Sequence, residues 1–263
     1  MIRKYPLASY FVIVFAWTWG VASLMLFFPD WVTRTIGPIR FSNPLFYLAV
    51  YAPSVTGIAL AWLTGGREGL RLLFARLTHW RFGAGWWLVL LLGVPVLAAV
   101  TAGLAGSATP VLAGFGQLPM VLPVALLLDP GPIGEEFGWR GFAFPRMVER
   151  WGMIRAAILL GATWGIWHYP AFLIPGLPQA EMDLGIFVAG TVVLSVLMAW
   201  LMFRTGGSLL PAILFHLAVN DVPGLFGAEF PNMVAVYSLI AAAVVIFDRD
   251  FRSGMIAQPG APG

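Results

Sequence analysis

Apolar residues run through this chain in blocks of about twenty, and short polar joints separate them. A helix rises about 1.5 Å per residue, so roughly 20 apolar residues cross a bilayer's hydrocarbon layer. On this pattern the spans fall at Leu7–Phe28, Pro44–Thr64, Trp86–Leu104, Leu118–Met147, Ile154–Ile174, Leu184–Phe203, Ser208–Asn220 and Met233–Phe247. The fourth is long and interrupted by Asp129-Pro130-Gly131-Pro132, and the seventh is short. The pattern predicts an all-α polytopic membrane protein of about eight transmembrane helices. It predicts one integral membrane domain over residues 1–263, with no internal repeat. The first span reads as a retained anchor, because its apolar run exceeds the 7–15 residues of a signal-peptide core.

Composition agrees. The chain is 60% apolar and 10% charged, against about 25% charged in a soluble domain. It has no cysteine, which excludes disulfides, thiolate metal sites and a cysteine nucleophile. Charge adds an orientation. With the N-terminus in the cytoplasm and the spans alternating, the inner side collects Arg3, Lys4, Arg67, Arg71, Arg76, Arg81, Arg146, Arg150, Arg155, Arg204, Arg249 and Arg252. Those are 12 of the 15 basic residues, and Lys and Arg accumulate in cytoplasmic loops. Both termini are therefore expected in the cytoplasm, in a bacterial cytoplasmic membrane with lipids as partners. The net charge of +3 needs no nucleic acid. Arg67–Arg81 sets Leu70, Leu73, Phe74 and Leu77 at helical spacing against arginines, which predicts a short helix on the inner leaflet. The Gly/Pro-rich tail, residues 253–263, is expected to be disordered.

Ionisable groups inside the apolar blocks are the exception to this pattern. A charge at the bilayer centre costs roughly 2.5–3.5 kcal/mol on insertion scales, so such groups face one another or a water-filled cavity. Glu135, Glu136 and Arg140 lie in the fourth span, His168 in the fifth, and His216 and Asn220 in the seventh. Glu136 and Arg140 are four apart and share a helix face. Glu135 points about 100° away and has no such local partner. His216 and Asn220 are also four apart and face one way. Each group alone also reads as an ordinary ion pair or interhelical polar contact. Together they predict a polar intramembrane cavity. Trp164 and Trp167 read as core or interfacial filler without a catalytic role. His79 lies in a basic loop and is given none.

The motifs GEEFGWRGFAFPRM, WGIWHYP and GSLLPAILFHLAVN follow one another in that order. They resemble the three motifs of the CAAX-prenyl-protease and bacteriocin-processing (Abi) family of intramembrane proteases, over roughly Leu118–Asn220. One position departs: the second motif is usually Phe-x-x-x-His, and Trp164 stands at the Phe. The resemblance implies peptide-bond hydrolysis in a helical membrane fold, with a cavity reached from the cytoplasmic side. It implies a hydrophobic or prenylated peptide or protein substrate.

Peptide hydrolysis needs an activated water and donors for the oxyanion. Glu135 is assigned as general base, and His168 as the residue that holds and polarises the water. His216 and Asn220 are oxyanion donors, while Glu136 and Arg140 fix the helix and its local field. Glu135, His168 and His216 are also candidate Zn²⁺ ligands, although the chain lacks His-Glu-x-x-His and the same groups suffice without a metal. Two other functions stay open: a non-catalytic immunity or scaffold membrane protein, and a transporter or proton pathway.

Overall fold

The computed structural model describes residues 2–107 and 109–257. Among them every regular element is helical. Helix α1 is Pro6–Phe27, followed by a short α2, Pro29–Thr35. Helices α3 (Pro44–Val50) and α4 (Ala52–Thr78) form a pair bent by 43°. Helices α5 (Ala84–Leu104) and α6 (Val111–Leu128) come next. Then α7 (Pro130–Glu136), a π-helical stretch Phe137–Ala143, and α8 (Phe144–Trp151) run as one rod. The rest comprises α9 (Met153–Trp167), α10 (Tyr169–Phe172), α11 (Leu184–Arg204), α12 (Leu210–Asp221), α13 (Phe230–Phe247) and α14 (Arg249–Ser253).

Among the described residues five helices are long and apolar enough to cross a membrane, or six when the bent pair counts as one span. The expected count of eight is therefore not reproduced by that measure; α9 and α12, of 15 and 12 residues, fall short. The protein is nonetheless an integral membrane protein on these apolar helices.

The largest departure from the sequence reading is the fourth span. The chain does not pass straight from Leu118 to Met147 but turns at Asp129, whose carboxylate accepts from the Gly131 backbone N–H at 2.9 Å and so caps α7. Pro130 sits in the first turn, where its missing N–H costs nothing. Helix α6, on the near side of that turn, has both ends at the same end of the bundle. Its start packs at Phe226, just beyond the end of α12, with Phe115 and Phe226 ring centroids 5.1 Å apart. At its finish the Leu128 carbonyl accepts from the Tyr47 hydroxyl at 2.9 Å, and the next residue, Asp129, meets Asn220 at the end of α12. Composition cannot separate such a helix from a span, because both need an apolar surface.

The expected break after Thr64 is present as a left-handed Gly66 (φ 59°) inside α4. The segment after it is the predicted amphipathic helix, with one correction. Arg76 does not join the other arginines on the outside. It is buried and donates from Nη1 to the Gly207 and Ala257 carbonyls at 3.2 and 2.9 Å. Of the tail, Ile256 is buried while Met255 is half exposed, and 258–263 lie outside the described residues.

Glycines allow the close helix contacts. Gly161 and Gly165 of α9, four apart, face α11 at Thr191, Val192 and Val188, the small-residue spacing that lets membrane helices approach. Gly161→Val would push a side chain into the α11 backbone. We expect a loss of about 1–3 kcal/mol from overpacking, read as a lower melting temperature in detergent. An unchanged melt would show that the two helices can separate freely.

Candidate active site

The acidic pair sits where α7 passes into the π-helical stretch. There the Phe144 N–H bonds the Trp139 carbonyl, five residues back. This wide turn brings Gly138 against the Pro53 carbonyl of α4, and Gly57 of α4 packs on Gly138 in return. The rod is thereby seated deep in the bundle, and Glu135, Glu136 and Arg140 are all buried.

Glu136 is the hub. Its Oε1 accepts from Arg140 Nη1 at 2.9 Å and faces His216 Nδ1 at 2.7 Å. The Arg140 guanidinium also lies over the Trp164 ring, 4.3 Å from its centroid, a cation–π contact strengthened by its burial. The expected pairing of Glu136 with Arg140 is thus present, and it extends to a third helix through His216.

Glu135 points elsewhere, as its helical position predicts. Its Oε2 accepts a hydrogen bond from Trp164 Nε1 at 2.5 Å. Its Oε1 has no hydrogen bond among the described residues, and Glu135 lines a cavity of about 430 Å³. Trp164 was read from the sequence as filler, and this is a correction: the indole positions the carboxylate. The available signal was the departure from Phe, since only Trp has an N–H to donate.

His168 closes α9. Its Nδ1 lies 2.8 Å from the Trp164 carbonyl. A carbonyl only accepts, so Nδ1 carries the proton and the neutral ring presents the Nε2 lone pair. Trp167 and Phe187 stand edge-on to this ring at 4.6 and 5.0 Å and hold its plane. Asn220 donates from Nδ2 to Asp129 Oδ2 at 2.9 Å. An amide nitrogen has two hydrogens, so one remains. Asp129 is the functional residue the sequence reading missed: it appeared only as part of a helix break, yet it orients Asn220 as well as capping α7. Gly131 lies among these groups. A Cβ there would stand 3.2 Å from Asp129 Oδ1 and 3.3 Å from both Asn220 Nδ2 and His216 Nε2. Glycine keeps that corner open.

Glu135, His168, His216 and Asn220 all line the one cavity, with Asp129, Trp164 and Gly131. Its remaining wall is mostly apolar. The candidate Zn²⁺ ligands do not form a ready metal site: among the described residues, no group of three or more His, Asp and Glu side chains is spaced to hold a metal ion.

The cavity belongs to one end of the bundle. Phe41, Gln179, Met182, Asp221 and Phe230 are among its lining residues, and all lie at the end where α12 finishes and α11 and α13 begin. The basic joints lie at the other end. They are tied together there by Arg3 to the Leu63 carbonyl, by Arg76 to Gly207 and Ala257, and by Arg204 to Asp248. The sequence reading expects cytoplasmic termini and a cytoplasmic cavity mouth; in the structure the chain ends and the cavity mouth lie at opposite ends of the bundle.

Replacing Trp164 with Phe keeps the packing and deletes the donor to Glu135. A hydrogen bond to a charged group is worth about 1.5–3 kcal/mol, so turnover should fall by roughly tenfold or more with the melting temperature nearly unchanged. Full turnover in the variant would remove Trp164 from the positioning of Glu135.

Comparison with known proteins points the same way. Residues 114–222 match a family model described as "Type II CAAX prenyl endopeptidase Rce1-like". A protein named "CAAX prenyl protease 2", from Methanococcus maripaludis, is 28% identical over 146 residues, covering 52% of this chain and 54% of that protein. The chain thus matches about half the length of this curated relative. The matched segment holds every residue of the constellation from Asp129 to Asn220, so over residues 114–222 this chain is similar to the Rce1-like type II CAAX prenyl endopeptidases.

Proposed function

We propose that this protein is an intramembrane endopeptidase that hydrolyses a peptide bond in an apolar segment by metal-free water attack. One observation carries the reading. A buried carboxylate with a free oxygen, an imidazole with a free Nε2 and an amide with a free N–H share an apolar cavity. The family match and the similarity to the archaeal CAAX prenyl protease 2 support it.

Water enters beside Glu135 Oε1 and His168 Nε2. Glu135 takes one proton as the oxygen attacks the scissile carbonyl carbon, and the amide π pair moves onto the carbonyl oxygen. Asn220 donates its second N–H to that oxyanion. His216 contributes a donor from Nε2 only when both ring nitrogens carry protons, since Nδ1 is engaged by Glu136. Collapse of the tetrahedral centre breaks the C–N bond, and the proton held by Glu135 goes to the leaving nitrogen. Arg140, through Glu136, fixes the His216 ring. The apolar wall suits a hydrophobic or prenylated peptide, and the twelve basic residues at one end support cytoplasmic termini in a cell membrane.

Purified protein in liposomes should cleave members of a quenched hydrophobic and prenylated peptide library. Activity should survive exhaustive chelation, with no stoichiometric metal by elemental analysis. Loss on chelation with recovery on Zn²⁺ would instead make Glu135, His168 and His216 metal ligands.

A further inference from the structure

The two ends of the bundle differ sharply in charge. The end holding the twelve basic residues carries only Glu68, Glu149, Asp248 and Asp250 as acids, a net charge of about +8. The end at which the cavity opens carries Arg34 and Arg40 against Asp30, Asp129, Glu181, Asp183, Asp221 and Glu229, a net charge of about −4. An excess of Lys and Arg marks the cytoplasmic side, and the bias here is large.

A second cavity, of about 710 Å³, lies between α6 and the 40–47 segment, lined by Met120, Val124 and Leu128 on one wall and Arg40 and Tyr47 on the other. It shares Phe41, Asp129 and Asp221 with the active cavity. Helix α6 flanks this opening with both ends at the acidic end, and it turns bare apolar side chains outward: Leu112 is 85% and Leu127 81% exposed. A helix of that character sits in lipid, not in water. The active cavity therefore adjoins, across Phe41, Asp129 and Asp221, a lateral gap beside the apolar face of α6 on the acidic side.

From the charge asymmetry and this gap, we infer that the active cavity opens on the extracytoplasmic side and receives an apolar segment of an exported polypeptide from the outer leaflet, past α6. The inference rests on the peptidase reading for the cleavage but not for the orientation. The acids at the mouth, Asp129 and Asp221 in the wall with Glu181 and Asp183 beside Met182, favour substrates whose apolar segment is flanked by Lys or Arg.

The chain has no cysteine, so single cysteines report position directly. Met182→Cys lies at the mouth, with the exposed Glu181→Cys as a second site should the first fail to accumulate, and Ser253→Cys marks the basic end. In sealed spheroplasts a membrane-impermeant maleimide should label position 182 or 181, and should reach 253 only after permeabilisation. The reverse pattern overturns the inference. In the same spheroplasts, an added apolar peptide bearing an impermeant dye and Lys flanks should be cleaved by the wild type and not by Glu135→Gln. It should be cleaved several-fold faster than its Glu-flanked counterpart, with the difference shrinking as salt rises. Cleavage that needs permeabilisation also overturns the inference. If the purified protein cleaves no peptide at all, the peptidase reading fails, and labelling alone still decides the orientation.

Discussion

Glu135→Gln should lower turnover by at least the ~10²–10⁴ typical of general-base loss, with folding unchanged. The expectation is sharp because the substitution keeps everything else. Glutamine has the length of glutamate, and its carbonyl oxygen still accepts from Trp164 Nε1, the one side-chain hydrogen bond of Glu135 among the described residues. What disappears is the oxygen that faces the cavity without a partner and takes the proton from water. Circular dichroism and the thermal melt should match the wild type while kcat falls. Full turnover against a verified substrate would mean that another group is the base, and His168, whose Nε2 has no hydrogen bond among the described residues, would be the first to test.

Glu136→Gln should behave differently, although the two carboxylates are adjacent in sequence. Glu136 is 0% exposed and Arg140 1%, and Oε1 holds both Arg140 and His216. Removing one partner from a buried pair leaves an uncompensated charge, which costs about 3–5 kcal/mol. An ordinary interhelical polar contact in a membrane protein is worth nearer ~0.6 kcal/mol. Thermal melting in detergent distinguishes these values. A large drop, with activity lost in proportion to unfolded protein, is the expected result. A small drop would show that the cation–π contact with Trp164 carries Arg140 without help, and that Glu136 acts mainly on His216.

The constellation was legible because lipid tolerates so few polar groups. Once Glu135, His168, His216 and Asn220 stood inside apolar blocks, a shared cavity was the cheapest arrangement, and helical spacing alone assigned Arg140 to Glu136 and freed Glu135. What stayed hidden depended on the opposing helix. Trp164 is mostly an apolar ring, and its single N–H matters only because α9 sets it against Glu135. Asp129 looked like punctuation, since Asp before Pro commonly opens a helix; that it also holds Asn220 depends on α12 ending beside it. Arg76 matched its neighbours in every local respect, and only the packing of residues 207 and 257 takes it inside. Helix α6 has the apolarity of a span, and no periodicity reports that both its ends return to the same side. The break at Gly66, by contrast, was visible from the change of pattern around it.

The π-helical stretch also marks where chain length can change. A π turn accommodates one residue more than the α turn it replaces. Delete one residue from Phe137–Ala143 and the stretch can close as α-helix, with Glu135 and Glu136 on one side and α8 on the other keeping nearly their present faces. What would be lost lies inside the stretch, in the wide turn that now sets Gly138 against the Pro53 carbonyl and Gly141 against Leu73. Delete a residue from α8 instead, where no wide turn absorbs the loss, and all that follows would turn by about 100°.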